Sequence, residues 1–150
     1  MKLQTASRLA IYAVLELSAD PERQLSAAEI GDKFGISTHH LSKVLHTLGR
    51  AGLVRSVRGA GGGYVFSGNA RRTTLLDVVE LFETLGGPEA SGAEQGAGTA
   101  EGAALNTLLG EIDELTRATL NSITLSTMHK LTSAAEPAID QRQGRTDAGL

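Results

Sequence analysis

The chain has 150 residues, a net charge of −3 and no cysteine, and hydrophobic residues make up 41% of it. This length and apolar fraction predict one packed domain plus a tail, and the missing thiols exclude disulfides, thiolate metal sites and cysteine nucleophiles. Because no apolar run is long enough for a transmembrane helix and no signal-peptide pattern is present, we expect a soluble, cytoplasmic protein.

The acidic net charge combines two halves of opposite sign. Residues 1–72 hold ten Lys or Arg against five Asp or Glu, whereas residues 73–150 hold four against twelve. Attraction to phosphate depends on the local field, so the negative total does not argue against nucleic-acid binding by the first half. Aromatic residues make up only 3% of the chain, which argues against a single-strand binder that stacks bases.

The first half predicts three helices, the last two of which are joined by a tight turn. Residues 6–18 carry apolar side chains at helical spacing and predict an amphipathic first helix. Ser26 can cap a short second helix, Gly35 supplies the turn, and Ser37 or Thr38 can cap a third helix. This arrangement is typical of a helix-turn-helix, whose second helix lies in the major groove of DNA.

The predicted recognition helix separates an apolar face from a polar one. Leu41, Val44, Leu45 and Leu48 share the inward face, and the side chains between them can hydrogen-bond a phosphate or a base edge. Arg50 can either cap the last carbonyls of this helix or contact DNA, and we leave both roles open. Besides Arg50, the predicted DNA contacts of this segment are Ser37, Thr38, His39, His40, Ser42 and Lys43.

Three histidines in this helix also raise the question of a metal site. His39 and His40 are adjacent and therefore point in different directions, and His46 lies two turns away with no third ligand between. Polar contacts to DNA are the better interpretation.

A β-hairpin is predicted after the third helix. Residues 53–59 follow period two, and a glycine run and a second short strand at residues 63–66 come after them. A dinucleotide-binding loop would need a helix directly after those glycines, so the pattern favours a hairpin wing. Arg58 at the wing root is a stronger candidate for DNA contact than Arg55. The other predicted contacts of the wing are Gly61, Gly62, Gly63 and Tyr64.

The second half predicts a dimerisation element. Thr74 can cap a short helix that completes a DNA-binding domain over residues 1–85, and residues 86–102, rich in Gly and Ala, predict a flexible loop. Residues 103–132 predict one long helix whose apolar stripe needs a cover, either the same helix of a second copy or its own domain. We favour the second copy. The predicted dimerisation residues are Leu105, Leu108, Ile112, Leu115 and Ile123.

The C-terminal tail and the remaining polar residues show no sequence pattern that predicts catalysis. Residues 133–150 are polar and contain a proline, which predicts a disordered tail. Asp113 and Glu114 fit the solvated face of the long helix, and His129 stands alone near a helix end. Because no nucleophile motif accompanies them, we do not expect an enzyme.

The chain resembles the Rrf2 family of bacterial transcription regulators over roughly residues 1–130. The resemblance lies in MKLQTASRLAIYAVLELS, RAGLVRSVRGAGGGY, TLLDVVELFE and NSITLSTM, of which the wing segment is the most specific. It implies a mainly α fold with a small β-hairpin wing, in a homodimer that is joined through long helices and binds pseudo-palindromic promoter DNA.

The residues that bind an iron–sulfur cluster in the sensor members of that family are absent. The three cysteine positions of the family fall on Ser91, Ala97 and Ala103, and the histidine ligand of IscR-type members falls on Asn106. The acidic ligand of NsrR-type members falls on Arg8. Since these clusters need thiolates with occasional histidine replacement, we expect no bound cluster and no other cofactor.

These observations predict a homodimeric, sequence-specific DNA-binding regulator, more specifically a repressor, that works without a cluster. One alternative is the cysteine-substituted apo form of an iron–sulfur or nitric-oxide sensor. A second is a regulator that acts mainly through a protein partner, as CymR-like members of the family suggest. A third is a small-molecule-sensing repressor, which would need a pocket between the first helix and the long helix.

Overall fold

The computed structural model describes residues 1–59, 61–86 and 95–143, with side chains described as far as Glu136. Its mainly α architecture carries a two-stranded antiparallel hairpin, so the predicted winged helix-turn-helix fold is confirmed. In chain order, the elements are α1 (Thr5–Ala19), α2 (Ala27–Phe34), α3 (Thr38–Arg50), β1 (Val54–Val57), β2 (Gly63–Phe66), α4 (Leu75–Val79), α5 (Ala100–Ser122) and α6 (Leu125–Gln143).

Helix α1 lies at the centre of the core and contacts α3, α4 and α6. Two small residues on its buried face, Ala10 and Ala13, let the neighbouring helices approach closely, while Val14 and Leu17 fill the space between them. The inward residues of α3, Leu41, Val44, Leu45 and Leu48, are all buried, as their spacing predicts.

The hairpin pairs Val54 with Phe66 and Val57 with Gly63. A third segment joins the other edge of β2, because the backbone of Leu25 exchanges hydrogen bonds of 2.7 and 3.0 Å with Tyr64. A Cβ at Gly63 would lie 2.5 Å from the carbonyl oxygen of Leu25, so only glycine permits this approach. The wing is therefore anchored to the segment that leads into α2.

The long helix predicted over residues 103–132 is two helices. α5 begins earlier, at Ala100, and ends at Ser122, and α6 begins at Leu125. The backbone between them is extended and bonds to the start of α4 and the residue before its cap: Leu75 N donates to Ile123 O at 2.9 Å, and Leu125 N donates to Thr73 O at 3.0 Å. These non-local bonds and the fully buried Leu125 side chain compensate for the broken helix.

The prediction of a disordered tail from residue 133 is wrong for residues 133–143, which extend α6 to Gln143. Three Ala, two Gln, one Glu and one Arg of this segment are good helix formers, so its composition is compatible with a helix apart from the proline at position 137. Residues 144–150 of the predicted tail and residues 87–94 of the predicted flexible loop lie outside the described residues. Within the part of the chain that is described, no helix is long and apolar enough to cross a bilayer.

Candidate nucleic-acid interface

The turn between α2 and α3 depends on two glycines. A Cβ at Gly31 would lie 2.6 Å from the backbone oxygen of Ile36, whose own N–H donates to Gly31 O at 2.9 Å. Gly35 ends α2 with a φ of 67°, a left-handed conformation that favours glycine. Ser26 and Glu29 form a capping box at the start of α2. The direction in which α3 leaves α2 is thus fixed by local backbone geometry.

Ser37 caps α3 and is the first of the predicted contact residues. The Ser37 hydroxyl accepts a hydrogen bond from the backbone N–H of His40 at 3.2 Å, and it lies 3.0 Å from Nδ1 of the His40 ring. The ring of His40 is therefore held at the cap, while that of His39 lies 6.1 Å away at a tilted angle. Among the described residues, no three His, Cys, Asp or Glu side chains lie close enough to hold a metal ion.

The outward face of α3 presents the predicted polar side chains to solvent. Lys43 follows Ser42 directly, and both share a helix face with His39. His46 extends this row by one more turn and is exposed, although the predicted contact set omits it. Its spacing of three from Lys43 is the signal that would have included it. The exposed residues of this face are Thr38, His39, Ser42, Lys43, His46 and Arg50.

The wing turn is shaped by glycines in left-handed backbone conformations. Gly59 and Gly61 have φ values of 123° and 78°, and Gly62 N donates to Gly59 O at 2.9 Å. The side-chain amide of Gln24 donates to the carbonyl of Gly61, a contact that the sequence pattern does not indicate. Arg58 lies directly after β1 at the root of this turn and is exposed, as predicted.

A cleft of about 420 Å³ separates α3 from the wing and collects several polar side chains. Arg50 lines this cleft, and no described hydrogen bond joins its guanidinium to a helix carbonyl, which favours an outward role over capping. Tyr64 is half-buried at the base of the wing, so its side chain borders the cleft rather than the wing tip. The polar residues of the cleft are His46, Arg50, Arg55, Ser56 and Tyr64.

This surface is cationic because the segment that builds it contains no carboxylate. Residues 35–72 include six Lys or Arg and no Asp or Glu. Among the described residues, the ion pairs lie elsewhere, at Glu16 with Lys33 and Arg23, and at Glu80 with Arg117. The cations of α3 and the wing are therefore available to an anionic partner.

A second exposed surface runs along α5, where no residue is buried. Leu105, Leu108, Ile112 and Leu115 are 49–68% exposed, and at 100° per residue they share one helix face with Leu109. The fifth predicted dimerisation residue, Ile123, lies instead in the link to α6 and packs against the core of its own chain. Four of the five predicted residues thus form one apolar stripe.

The family's cluster-ligand positions do not provide a ligand set. Ala97 lies in the turn before α5, Ala103 and Asn106 lie in the first two turns of α5, and Arg8 is exposed on α1. Ser91 lies outside the described residues. Hydrocarbon side chains, an amide and a guanidinium cannot replace thiolates, so these residues do not fit an iron–sulfur cluster.

Comparison with known proteins agrees with this geometry. The Rrf2 family model, described as an iron-dependent transcriptional regulator, matches residues 3–130. The HTH-type transcriptional regulator BadM of Rhodopseudomonas palustris is 44% identical over 149 residues, which span 99% of this chain and 90% of that protein.

Two solved structures share the fold at comparable identity. IscR of T. potens is 25% identical, with a TM-score of 0.72 and coverage of 90% of both chains. CymR, the global cysteine regulator of B. subtilis, is 27% identical, with a TM-score of 0.72 and coverage of 87% of this chain and 98% of the other.

Proposed function

Since the chain belongs to the Rrf2 family of DNA-binding transcriptional regulators, we propose that it acts as a homodimeric repressor on a pseudo-palindromic operator. Each subunit inserts the N-terminal half of α3 into a major groove, and the two half-sites lie about one helical turn (~34 Å) apart. Arg58 and the glycine turn of the wing contact the flanking backbone or minor groove.

The observation that carries this proposal is the carboxylate-free, cationic surface shared by α3 and the wing. Lys43, Arg50 and Arg58 are exposed on it, next to hydroxyl and imidazole groups that can donate to phosphates or base edges. The acidic side chains belong to other elements, so the local field favours DNA even though the whole chain is negative.

The homodimer is supported by the apolar stripe of α5. Soluble single chains rarely leave a continuous row of large apolar side chains in water, and such rows commonly mark interfaces. A two-fold axis that pairs α5 with its copy would cover both stripes and give the dimer two symmetry-related copies of α3. Two copies of one reading helix require a site with two similar halves.

Regulation without an iron–sulfur cluster is part of the same proposal. It rests on the chemistry of the ligand positions, where Ala97, Ala103 and Asn106 stand in place of thiolate and imidazole donors. DNA binding by this chain should therefore be unaffected by iron chelators or by anaerobic purification.

The test begins with the genomic fragments that the purified protein retains. Fluorescence anisotropy then compares the affinity of the protein for these fragments with its affinity for scrambled duplexes. If Lys43, Arg50 and Arg58 of each subunit all contact phosphates, the dimer makes about six such contacts, and the slope of log K against log salt concentration is about −5. Lys130→Ala, which removes an exposed cation of α6, is the matched control and should leave the slope unchanged. A slope near zero, or equal affinity for both duplexes, would instead favour a regulator that works through a protein partner.

The direction of regulation needs a separate measurement. A reporter gene placed behind a retained promoter fragment should be less active when the protein is present. Higher activity in its presence would identify an activator and contradict the repressor proposal.

A further inference from the structure

The segment that leads into α2 is attached to the wing as well as to the core. The backbone of Leu25 exchanges two hydrogen bonds with Tyr64 of β2, and the Leu25 side chain is buried. One residue earlier, the side-chain amide of Gln24 donates to the carbonyl oxygen of Gly61 in the wing turn. One residue later, Ser26 caps α2. The segment therefore holds the wing and starts the helix-turn-helix at the same place.

The Gln24 contact fixes one peptide group of the wing turn. The carbonyl of Gly61 and the N–H of Gly62 belong to the same planar peptide unit, because the two residues are adjacent. The oxygen of this unit accepts from Gln24, and its N–H donates to the carbonyl oxygen of Gly59 at 2.9 Å. Rotation of the peptide plane would therefore break two hydrogen bonds at once.

The glycines of the turn do not supply this restraint themselves. Gly59 and Gly61 have positive φ values, a region that glycine adopts about as readily as negative φ. A two-stranded hairpin is also only marginally stable by itself. Among the described residues, Gln24 provides the only side chain that hydrogen-bonds to residues 58–62. The order of the wing turn therefore depends on a residue outside the wing.

The restrained turn in turn positions Arg58. This arginine directly precedes Gly59, whose carbonyl oxygen accepts the Gly62 N–H. Fixing that carbonyl fixes the backbone from which the Arg58 side chain leaves. A wing that is ordered before DNA arrives loses less conformational entropy on binding, so its contacts with DNA contribute more affinity.

We propose that Gln24 is a positioning residue for DNA recognition, which holds the wing turn, and through it Arg58, in the conformation that contacts DNA. This inference deepens the proposed function and rests on it. Gln24→Met is the test variant, because methionine keeps the length and the neutral charge of the side chain but cannot donate a hydrogen bond.

The first measurement needs no DNA. Amide NMR relaxation of the free protein gives order parameters for Gly61 and Gly62, which we expect at about 0.8 in the wild type and below about 0.6 in Gln24→Met. Gln4→Met is the matched control, because Gln4 is also exposed and its side chain makes no cap hydrogen bond. The control should leave the wing as ordered as in the wild type. A mobile wing in the wild type, or equal order in wild type and Gln24→Met, would overturn the proposal.

The second measurement is a double-mutant cycle with Arg58→Ala on a retained genomic fragment. Loss of one hydrogen bond should weaken binding about threefold per subunit, and hence about tenfold for the dimer. If Gln24 acts through Arg58, the two effects are not additive, and Gln24→Met should cost no more than about threefold when Arg58 is already replaced. The thermal unfolding midpoint should stay unchanged, because the contact lies at the surface.

The possible failures are distinguishable. A full tenfold effect of Gln24→Met in the Arg58→Ala background would overturn the positioning role, since Gln24 would then act independently of Arg58. A wild-type protein that binds no duplex specifically would instead contradict the proposed function. In that case the relaxation measurement would still decide whether Gln24 holds the wing.

Discussion

The apolar stripe of α5 makes dimer formation the most quantitative prediction. We consider the double substitution of Leu108 and Ile112 by Ala, because these side chains are 53% and 49% exposed in the single chain. Complete burial of a Leu or Ile side chain stabilises by about 1.5–3 kcal/mol, so covering the exposed half contributes about 1 kcal/mol per position. The stripe occurs twice in a symmetric dimer, so the double substitution removes about 3–4 kcal/mol, allowing for the retained Cβ atoms.

This loss corresponds to a dimer dissociation constant raised by two to three orders of magnitude, at about 1.4 kcal/mol per tenfold. Sedimentation velocity over a range of protein concentrations measures the constant, and far-UV circular dichroism checks that the fold is retained. Leu131→Ala is the matched control, because Leu131 is 56% exposed but lies on α6. An unchanged dissociation constant for the double variant, or an equal effect of the control, would refute the assignment of the stripe to the dimer.

Further predictions concern the recognition helix, the wing and the turn. Lys43→Ala should weaken binding to all duplexes alike if Lys43 contacts a phosphate, and should change the sequence preference if it contacts a base. Electrophoretic mobility shifts on specific and scrambled duplexes distinguish these results. Unchanged binding to every duplex would exclude both roles. Arg58→Ala should reduce the slope of log K against log salt by about 2 per dimer, one contact per subunit, and an unchanged slope would remove Arg58 from the interface. Gly31→Ala should destabilise the fold by several kcal/mol, because its Cβ meets the Ile36 backbone oxygen at 2.6 Å. Gly110→Ala, where α5 leaves the space open, should stabilise by up to about 1 kcal/mol. Thermal unfolding compares the two, and similar midpoints would contradict the steric argument.

The elements of the DNA-binding half were predictable because their signals are local. The Ser26 cap, the turn at Gly35 and the inward spacing of α3 all lie within a few residues of the structure they determine. The period-two segment, the glycine run and the short apolar segment after it were sufficient to predict the wing. These short-range patterns agree with the tertiary structure, as expected where local and global preferences coincide.

Features that depend on distant partners were not predictable in the same way. The break between α5 and α6 arises from backbone hydrogen bonds between Leu125 and Thr73, 52 residues apart, and the apolar periodicity continues across it. Because the helix breaks before it, Ile123 packs against the core of its own chain, although its spacing in the sequence fits the apolar stripe.

A groove of about 600 Å³ lies between α1, α2 and α6, and the sequence raised such a pocket only as a requirement of the small-molecule alternative. Its lining depends on the packing of α1 against α2 and against the distant α6, which local sequence patterns do not indicate. Contacts of Ser37, Thr38, His39, His40 and the wing glycines with DNA stay predictions.

The central claim is that two copies of one cationic surface read two halves of a single DNA site. Hydroxyl-radical footprinting of a retained genomic fragment tests it most directly, because it records protection at each nucleotide on both strands. We predict two equivalent protected patches, related by two-fold symmetry, with centres about one helical turn (~34 Å) apart. A single patch, or uniform protection without a defined position, would contradict the account.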